Sequence, residues 1–330
     1  MRMILTAIAF CTTQVAIADV QTVAPVVDQH VLPGYAALAS ETEDLAAAAA
    51  ANCDPTDPTL RQSFHEAFDA WVRVSHLRFG PSEENDRAFG LAFWPDPRGA
   101  TPKALGTLIR EEDPVVDDPA GFDTISVAAR GFYALEFLLY APEFAEAGNA
   151  TYRCRLIQAI IANIAANAAA IEADWQNGYA DLMRVTGNDR YRTDTEAAKQ
   201  LFTSLSTGLE FTSGMRLGRP LGSFDRPRPN RAEARRSERS LRNVVLSLEA
   251  TRALAAQLSG NNDEIDQAFA RAIEQADGID DPSFAGVSDP QSRIRVEALK
   301  SDVDEIRMIL ALDLGPELGI TAGFNSLDGD

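Results

Sequence analysis

Between Arg130 and Pro142 the only ionisable side chains are Tyr133, Glu136 and Tyr140, set in the run G-F-Y-A-L-E-F-L-L-Y from Gly131 to Tyr140. At about 100° per residue the three fall within an arc of roughly 60° on a helix, while Phe132, Leu135, Leu138 and Leu139 spread over the rest. A helix that is apolar on nearly every side is a buried one, and a lone carboxylate there is costly unless something pairs with it. Glu136 therefore needs a partner that its own segment does not supply. An Arg from Arg78, Arg216, Arg236 or Arg239 would make the cluster structural. A ligand or metal would make it functional, and a carboxylate with a phenol is a hard oxygen set that favours Fe³⁺.

A second pattern is His65-Glu66-Ala67-Phe68-Asp69, which resembles the zinc peptidase run His-Glu-x-x-His with Asp in place of the second His. An i, i+4 pair can share a metal, but a third ligand and an open position are not evident, and the alternative is a solvated helix face. His76 lies on the same face about 16 Å farther along the axis, so one metal cannot take both histidines. The chain has no Gly-rich phosphate loop, no Gly-x-Ser-x-Gly elbow and no Cys-x-x-Cys. Its three cysteines are Cys11, Cys53 and Cys154.

These side chains must be positioned by helices, because apolar residues recur at helical spacing almost throughout and no alternating strand pattern stands out. Helices are expected over 23–51 with a break at Pro33, then 59–79, 124–140 and 151–183. Between the second and third lies a Pro, Gly and Asp rich connection, 82–123, with one short helix over 103–110; it is long enough to fold over a site. A second set follows the turn after Val185: helices over 195–217, 232–258, 263–276 and 290–314, with a Gly, Pro and Arg loop over 218–229. Four helices and then four more give an all-α chain of two tandem four-helix bundles, residues 19–185 and 186–330, with a boundary between about Val185 and Thr195. In an up-and-down bundle Cys53 and Cys154 fall at the same end, so a disulfide between them is expected, two free thiols being the alternative.

Residues 1–18 read as a signal peptide, with Arg2, an apolar core from Ile4 to Phe10, and Ala16-Ile17-Ala18 before Asp19. Export to the periplasm or cell envelope is the expectation. The longest later apolar run, 156–171, carries Gln158, Asn163 and Asn167, so no transmembrane segment is expected. With 30 basic and 49 acidic residues the net charge is −19, which repels nucleic acid and anionic headgroups. Against that background the run of arginines from Arg226 to Arg239 stands out, as helix-end charges meeting acidic neighbours or as a site for a buried carboxylate or anion.

Ser75, Arg78 and Gly80 at the end of the second helix are echoed by Ser213, Arg216 and Gly218 at the end of the fifth. The echo suggests a duplication that brings both arginines to a shared region, although capping preferences alone produce the same spacing.

The Gly131–Tyr140 run resembles the Gly-x-His-x-x-Glu signature of the imelysin-like family. Trp71 with Arg78-Phe79-Gly80-Pro81, the Trp94-Pro95-Asp96 loop, Arg236-Ser237 with Ser240-Leu241, and the tail from Leu318 to Asp330 agree with it in order along the chain. The resemblance implies an exported all-α protein of two bundles, linked to bacterial iron acquisition, with its site near the bundle junction. The expected ligand-binding set is then Tyr133, Glu136, Arg78, Arg216, Arg236 and Ser237, with Glu136 and Tyr133 the ligands of any metal, iron foremost. Because Tyr133 stands where the signature has His, the expectation is a non-catalytic metal- or ligand-binding protein that serves envelope iron-uptake components. A metal-dependent peptidase is the alternative.

Overall fold

The computed structural model describes residues 23–320; the leader read at 1–18 and the tail from 321 onward lie outside the described residues. Among the described residues the regular structure is helical, and one isolated bridge between Ser223 and Arg226 is the sole strand-like pairing. The fold is all-α, as the periodicity implies.

In the first half α1 (Leu32–Ala51), α2 (Pro58–Val74), α4 (Gly131–Tyr140) and α5 (Ala150–Asp174) surround one core, and α3 (Ala100–Glu111) lies in the long connection. Asp57 caps α2 by accepting from the Leu60 N–H, and Pro58 sits in the first turn, where its missing N–H costs nothing. Leu60, Phe64, Phe68 and Trp71 then recur along the buried side. Pro33 does not break the first helix. The chain is helical from Val23, and a wide i→i+5 turn over Val27–Val31 relieves the clash that a proline ring makes with the preceding turn.

The second half is built from α6 (Asp194–Phe211), α7 (Ser240–Leu258), α8 (Asp263–Asp277) and α9 (Pro290–Ile309). α6 and α7 pack together, α8 lies on α7 and α9, and α7 also packs on α2 of the first half. Thr193, Asn262 and Asp289 cap α6, α8 and α9 through their side-chain oxygens. After Phe211 the helix does not stop at Gly218; it widens into a π turn over Thr212–Leu217 and continues to Leu221.

Cys53 and Cys154 form a disulfide with a Cα separation of 5.2 Å, tying the end of α1 to the start of α5. The helical run Ala150–Arg184 is long and apolar enough by composition to span a membrane, unlike the shorter apolar run read from the sequence. In the fold its apolar side, from Leu156 and Ile157 through Ile160, Ile161 and Ile164 to Ile171, is buried core, while Arg153, Arg155, Glu172 and Asp174 occupy its other faces.

Two helix starts differ from the sequence reading. α4 begins at Gly131 rather than near Thr124. Gly131 has φ +76°, and a Cβ there would stand 2.3 Å from the Leu91 carbonyl oxygen, so this entry point admits only glycine. α7 begins at Ser240 rather than at Ala232. Residues 232–239 form a tight irregular loop with Ala234 and Glu238 at positive φ. The cause of that departure is Glu136.

Candidate functional site

The Glu136 carboxylate is 2 % exposed, and its Oε1 accepts three hydrogen bonds from the 232–239 loop. They come from the Arg236 N–H at 3.0 Å, the Ser237 N–H at 3.0 Å and the Ser237 hydroxyl at 2.9 Å. A buried acceptor that collects two successive backbone N–H groups competes with the i→i−4 bonds of a helix, and here it wins. Burial raises the Glu136 pKa, and the donors from Ser237 and the charge of Arg236 oppose that rise. The Arg236 guanidinium lies 3.6 Å from the centre of the Phe137 ring and makes no ion pair to Glu136.

Tyr133 points elsewhere. Its hydroxyl donates a short hydrogen bond to Oε1 of Glu233, a residue only 1 % exposed. Oε2 of Glu233 accepts from Arg216 Nε at 2.8 Å. Arg216, from the π turn after α6, also donates through Nη1 to the Ser247 hydroxyl at 3.1 Å and the Thr212 hydroxyl at 3.3 Å. Its Nη2 reaches the Ser75 hydroxyl at 3.4 Å. The chain Tyr133–Glu233–Arg216 therefore links α4, the 232–239 loop and the second half, with branches to α7 and to the end of α2. Burial, and then the nearby Glu233 carboxylate, push the Tyr133 pKa well above that of a free phenol.

A cavity of about 480 Å³ lies over this network, between the end of α2 and α6. Trp71, Trp94, Tyr133 and Phe211 supply aromatic surface; Ser75, Thr207 and Ser247 supply hydroxyls; and Arg78, Arg216, Glu210 and Glu233 the charges. Trp94 comes from the long 82–123 connection, which thus forms a wall of the cavity. Asp96 steadies that segment by capping α3 through the Ala100 and Thr101 N–H groups at 2.9 and 2.8 Å. Gly208 lets α6 approach α2, since a Cβ there would stand 2.6 Å from Cβ of His76.

The six residues expected from the sequence divide into two groups. Tyr133, Arg78 and Arg216 line the cavity, and the two arginines of the echoed helix ends meet there. Arg78 is half-exposed and paired with Glu83 at 2.6 Å. Glu136, Arg236 and Ser237 do not line it, and they hold the loop that delivers Glu233. Glu136 and Tyr133 are thus not a convergent metal pair, because each is committed to a different partner on that loop. The arginines proposed as salt-bridge partners of Glu136 go elsewhere: Arg78 to Glu83, Arg216 to Glu233 and Arg239 to Asp69.

The zinc-peptidase-like run is absorbed structurally. Arg239 is 1 % exposed; its Nη1 stands 2.9 Å from His65 Nδ1, and its Nη2 is paired with Asp69, which also binds Arg242. A guanidinium only donates, so His65 Nδ1 is the acceptor, and Nε2 carries the proton toward the Tyr140 hydroxyl 2.8 Å away. Burial, reinforced by the Arg239 charge, lowers the His65 pKa to about 4. His76, on the cavity wall, meets His30 with the two Nε2 atoms 3.0 Å apart. Burial lowers the His30 pKa to about 4 and that of His76 well below its usual value.

Among the described residues no group of three or more His, Cys, Asp or Glu side chains is placed to hold a metal ion. The residue that sequence reasoning missed is Glu233. The available signal was that Glu233 is one of only two acids, with Glu238, in the run of arginines from Arg226 to Arg239, and a helix assignment over 232–258 concealed it.

A search of curated proteins finds no match. Solved structures share the fold, among them the following two. An imelysin-like protein from Psychrobacter arcticum 273-4 superposes with a TM-score of 0.77 at 20 % identity, over 93 % of this chain and 98 % of that one. A "putative iron-regulated protein A precursor" from Parabacteroides distasonis ATCC 8503 gives 0.72 at 13 % identity, over 91 % and 94 %. The family model described as Imelysin, under the heading Peptidase M75, matches residues 31–310. That span is most of the chain and includes α4, the 232–239 loop and the cavity between them and α6: the chain belongs to the imelysin family.

Proposed function

We propose that the protein is an exported, non-catalytic binding protein of bacterial iron acquisition, whose small ligand sits in the cavity over Tyr133, Glu233 and Arg216. The observation that carries this reading is the pairing state of that network. The Tyr133, Glu233 and Arg216 groups at the cavity floor are already satisfied by one another and by Ser247, so that floor is rigid and close to neutral. On the wall His76 Nδ1 is buried without a hydrogen-bond partner among the described residues, and most of the open surface offered to a ligand is aromatic and hydroxylic. A bare ion would find the Tyr133 proton firmly held and Glu233 engaged on both oxygens. Iron, as cargo, would therefore arrive already chelated by a small organic molecule. Support for the iron link is the family and the iron-regulated description carried by one structural neighbour.

The peptidase alternative has less support, because His65 and Asp69 are both consumed by Arg239. We also read the two halves as a tandem pair with the boundary between about Val185 and Thr195, which superposition of 23–184 on 194–309 tests directly. For the site, calorimetric titration with ferric citrate is the test, with Trp94→Ala and Thr207→Leu as cavity variants. Saturable heat that both variants abolish is the expected result. Heat that survives both places the ligand elsewhere.

A further inference from the structure

The arginine-rich loop that follows α6 takes no part in the cavity floor, and its composition is at odds with the rest of the chain. Arg219, Arg226, Arg228 and Arg231 fall within thirteen residues that hold a single acid, Asp225, in a protein of net charge −19. Many other arginines of the fold are paired with carboxylates, as Arg242 is with Asp69 and Arg293 with Glu297. Among the described residues these four form no ion pair. Arg219 lies over the Trp94 ring, 5.6 Å from its centre, and burial, then the Arg231 charge, lowers its pKa, while Arg226, Arg228 and Arg231 are exposed.

The loop is held in shape. The Arg228 N–H donates to the Pro220 carbonyl at 2.8 Å, Ser223 and Arg226 form the isolated bridge, and Arg293 Nη1 donates to the Leu221 carbonyl at 2.7 Å. Gly222 at φ +56° makes the turn, where a Cβ would stand 2.4 Å from the Arg226 carbonyl oxygen. At the tip Phe224 is 75 % exposed, the most exposed large apolar side chain among the described residues. Arg293 lies 5.7 Å from its ring centre. A braced tip that holds a Phe largely in water beside exposed guanidinium groups leaves apolar surface that the Arg293 contact covers only in part.

We infer that this loop docks the protein on an anionic phospholipid surface, with Phe224 entering the headgroup region and the exposed Arg226, Arg228 and Arg231 meeting phosphate oxygens. Arg supplies the planar fork that phosphate prefers. The overall negative charge does not prevent this, because at physiological salt charges more than a Debye length of about 8 Å away are largely screened, and the contact feels the local patch. A protein partner fits the patch less well. A stable protein interface needs roughly 20–30 residues on each side, whereas this tip offers a handful on an otherwise acidic surface. A membrane needs only a basic cluster and an apolar anchor.

The test is co-sedimentation of the exported protein, its N-terminus verified by mass so that the leader read at 1–18 does not contribute, with phosphatidylglycerol-containing and with pure phosphatidylcholine vesicles. Binding to the anionic vesicles alone, weakening as salt is raised, is the expected result. Arg226→Glu with Arg228→Glu should lower the bound fraction at least about tenfold. Phe224→Ser should weaken binding several-fold and leave its salt dependence in place. Circular dichroism and ferric citrate titration of the same variants show that the fold and the cavity are intact, so a failure here is separable from a failure of the cavity reading. Absence of wild-type binding, equal binding to both vesicle types, or equal binding by the charge-reversed variant overturns the inference. So does a patch that serves only self-association, seen in sedimentation velocity as a dimer lost in the charge-reversed variant without any vesicle binding.

Discussion

Tyr133 and Glu233, one hundred residues apart, share a short buried hydrogen bond, and the other oxygen of Glu233 holds Arg216. Removing the hydroxyl in Tyr133→Phe leaves one lone-pair site of a buried carboxylate without its donor, a loss of about 1–3 kcal/mol. Glu233→Ala is expected to be worse, about 3–5 kcal/mol, because it strands the Arg216 guanidinium in a site only 3 % exposed. Urea unfolding of the two variants, with Glu233→Gln between them, should give that order.

Glu136 acts through the loop it captures. Glu136→Ala removes the acceptor of three hydrogen bonds and should cost about 2–4 kcal/mol. Hydrogen exchange should rise at the amides of Arg236 and Ser237 before it rises in α4. Unchanged protection at those two amides would contradict the anchoring role.

The helices, the disulfide and the buried acid at the centre of α4 were all legible in the sequence, since each rests on periodicity, spacing or an isolated charge on an apolar helix. The partner of that acid was not. A side chain was sought for Glu136, and the structure answered with backbone N–H groups, which every residue carries and no sequence pattern advertises. The same interaction turned residues 232–239 out of helix and so brought Glu233 into the cavity. Arg78 and Arg216 do reach one cavity, as their matched positions at helix ends imply, but one is half-exposed and the other fully buried. The shared spacing in sequence could not separate those two environments.

Two glycines mark close approaches. Gly131→Ala places a methyl against the Leu91 carbonyl at a positive φ and is expected to cost several kcal/mol or prevent folding. Gly208→Ala crowds His76 between α6 and α2 and should cost about 1–3 kcal/mol. Thermal melts distinguish the two, and equal behaviour would contradict the difference in their surroundings.

Acid should destabilise the fold through its histidines. The folded-state pKa values of His30 and His65 are lowered to about 4, so between about 6.5 and 4 the unfolded chain binds more protons than the native one. The stability they contribute is complete above pH 6.5 and is lost as pH falls toward 4. Glu136, whose pKa is raised, works in the opposite sense and softens the slope. Melting temperature measured over this range should fall on acidification, and His30→Gln should flatten the curve.

Reduction of the Cys53–Cys154 bridge, which spans a sequence separation of 101, should cost on the order of 4–5 kcal/mol by loop-closure entropy. Denaturant midpoints with and without reductant give the value directly.

The central claim is that ligand is held over Tyr133, Glu233 and Arg216 while Glu136 serves only the loop behind them. Diffraction at the iron absorption edge from crystals soaked in ferric citrate tests it most directly. The account predicts an anomalous peak inside the cavity bounded by Trp94, Phe211 and Tyr133, with the Tyr133 hydroxyl still on Glu233 and the metal held by its chelator. A peak bonded to Glu136 or to a Tyr133 phenolate would contradict it.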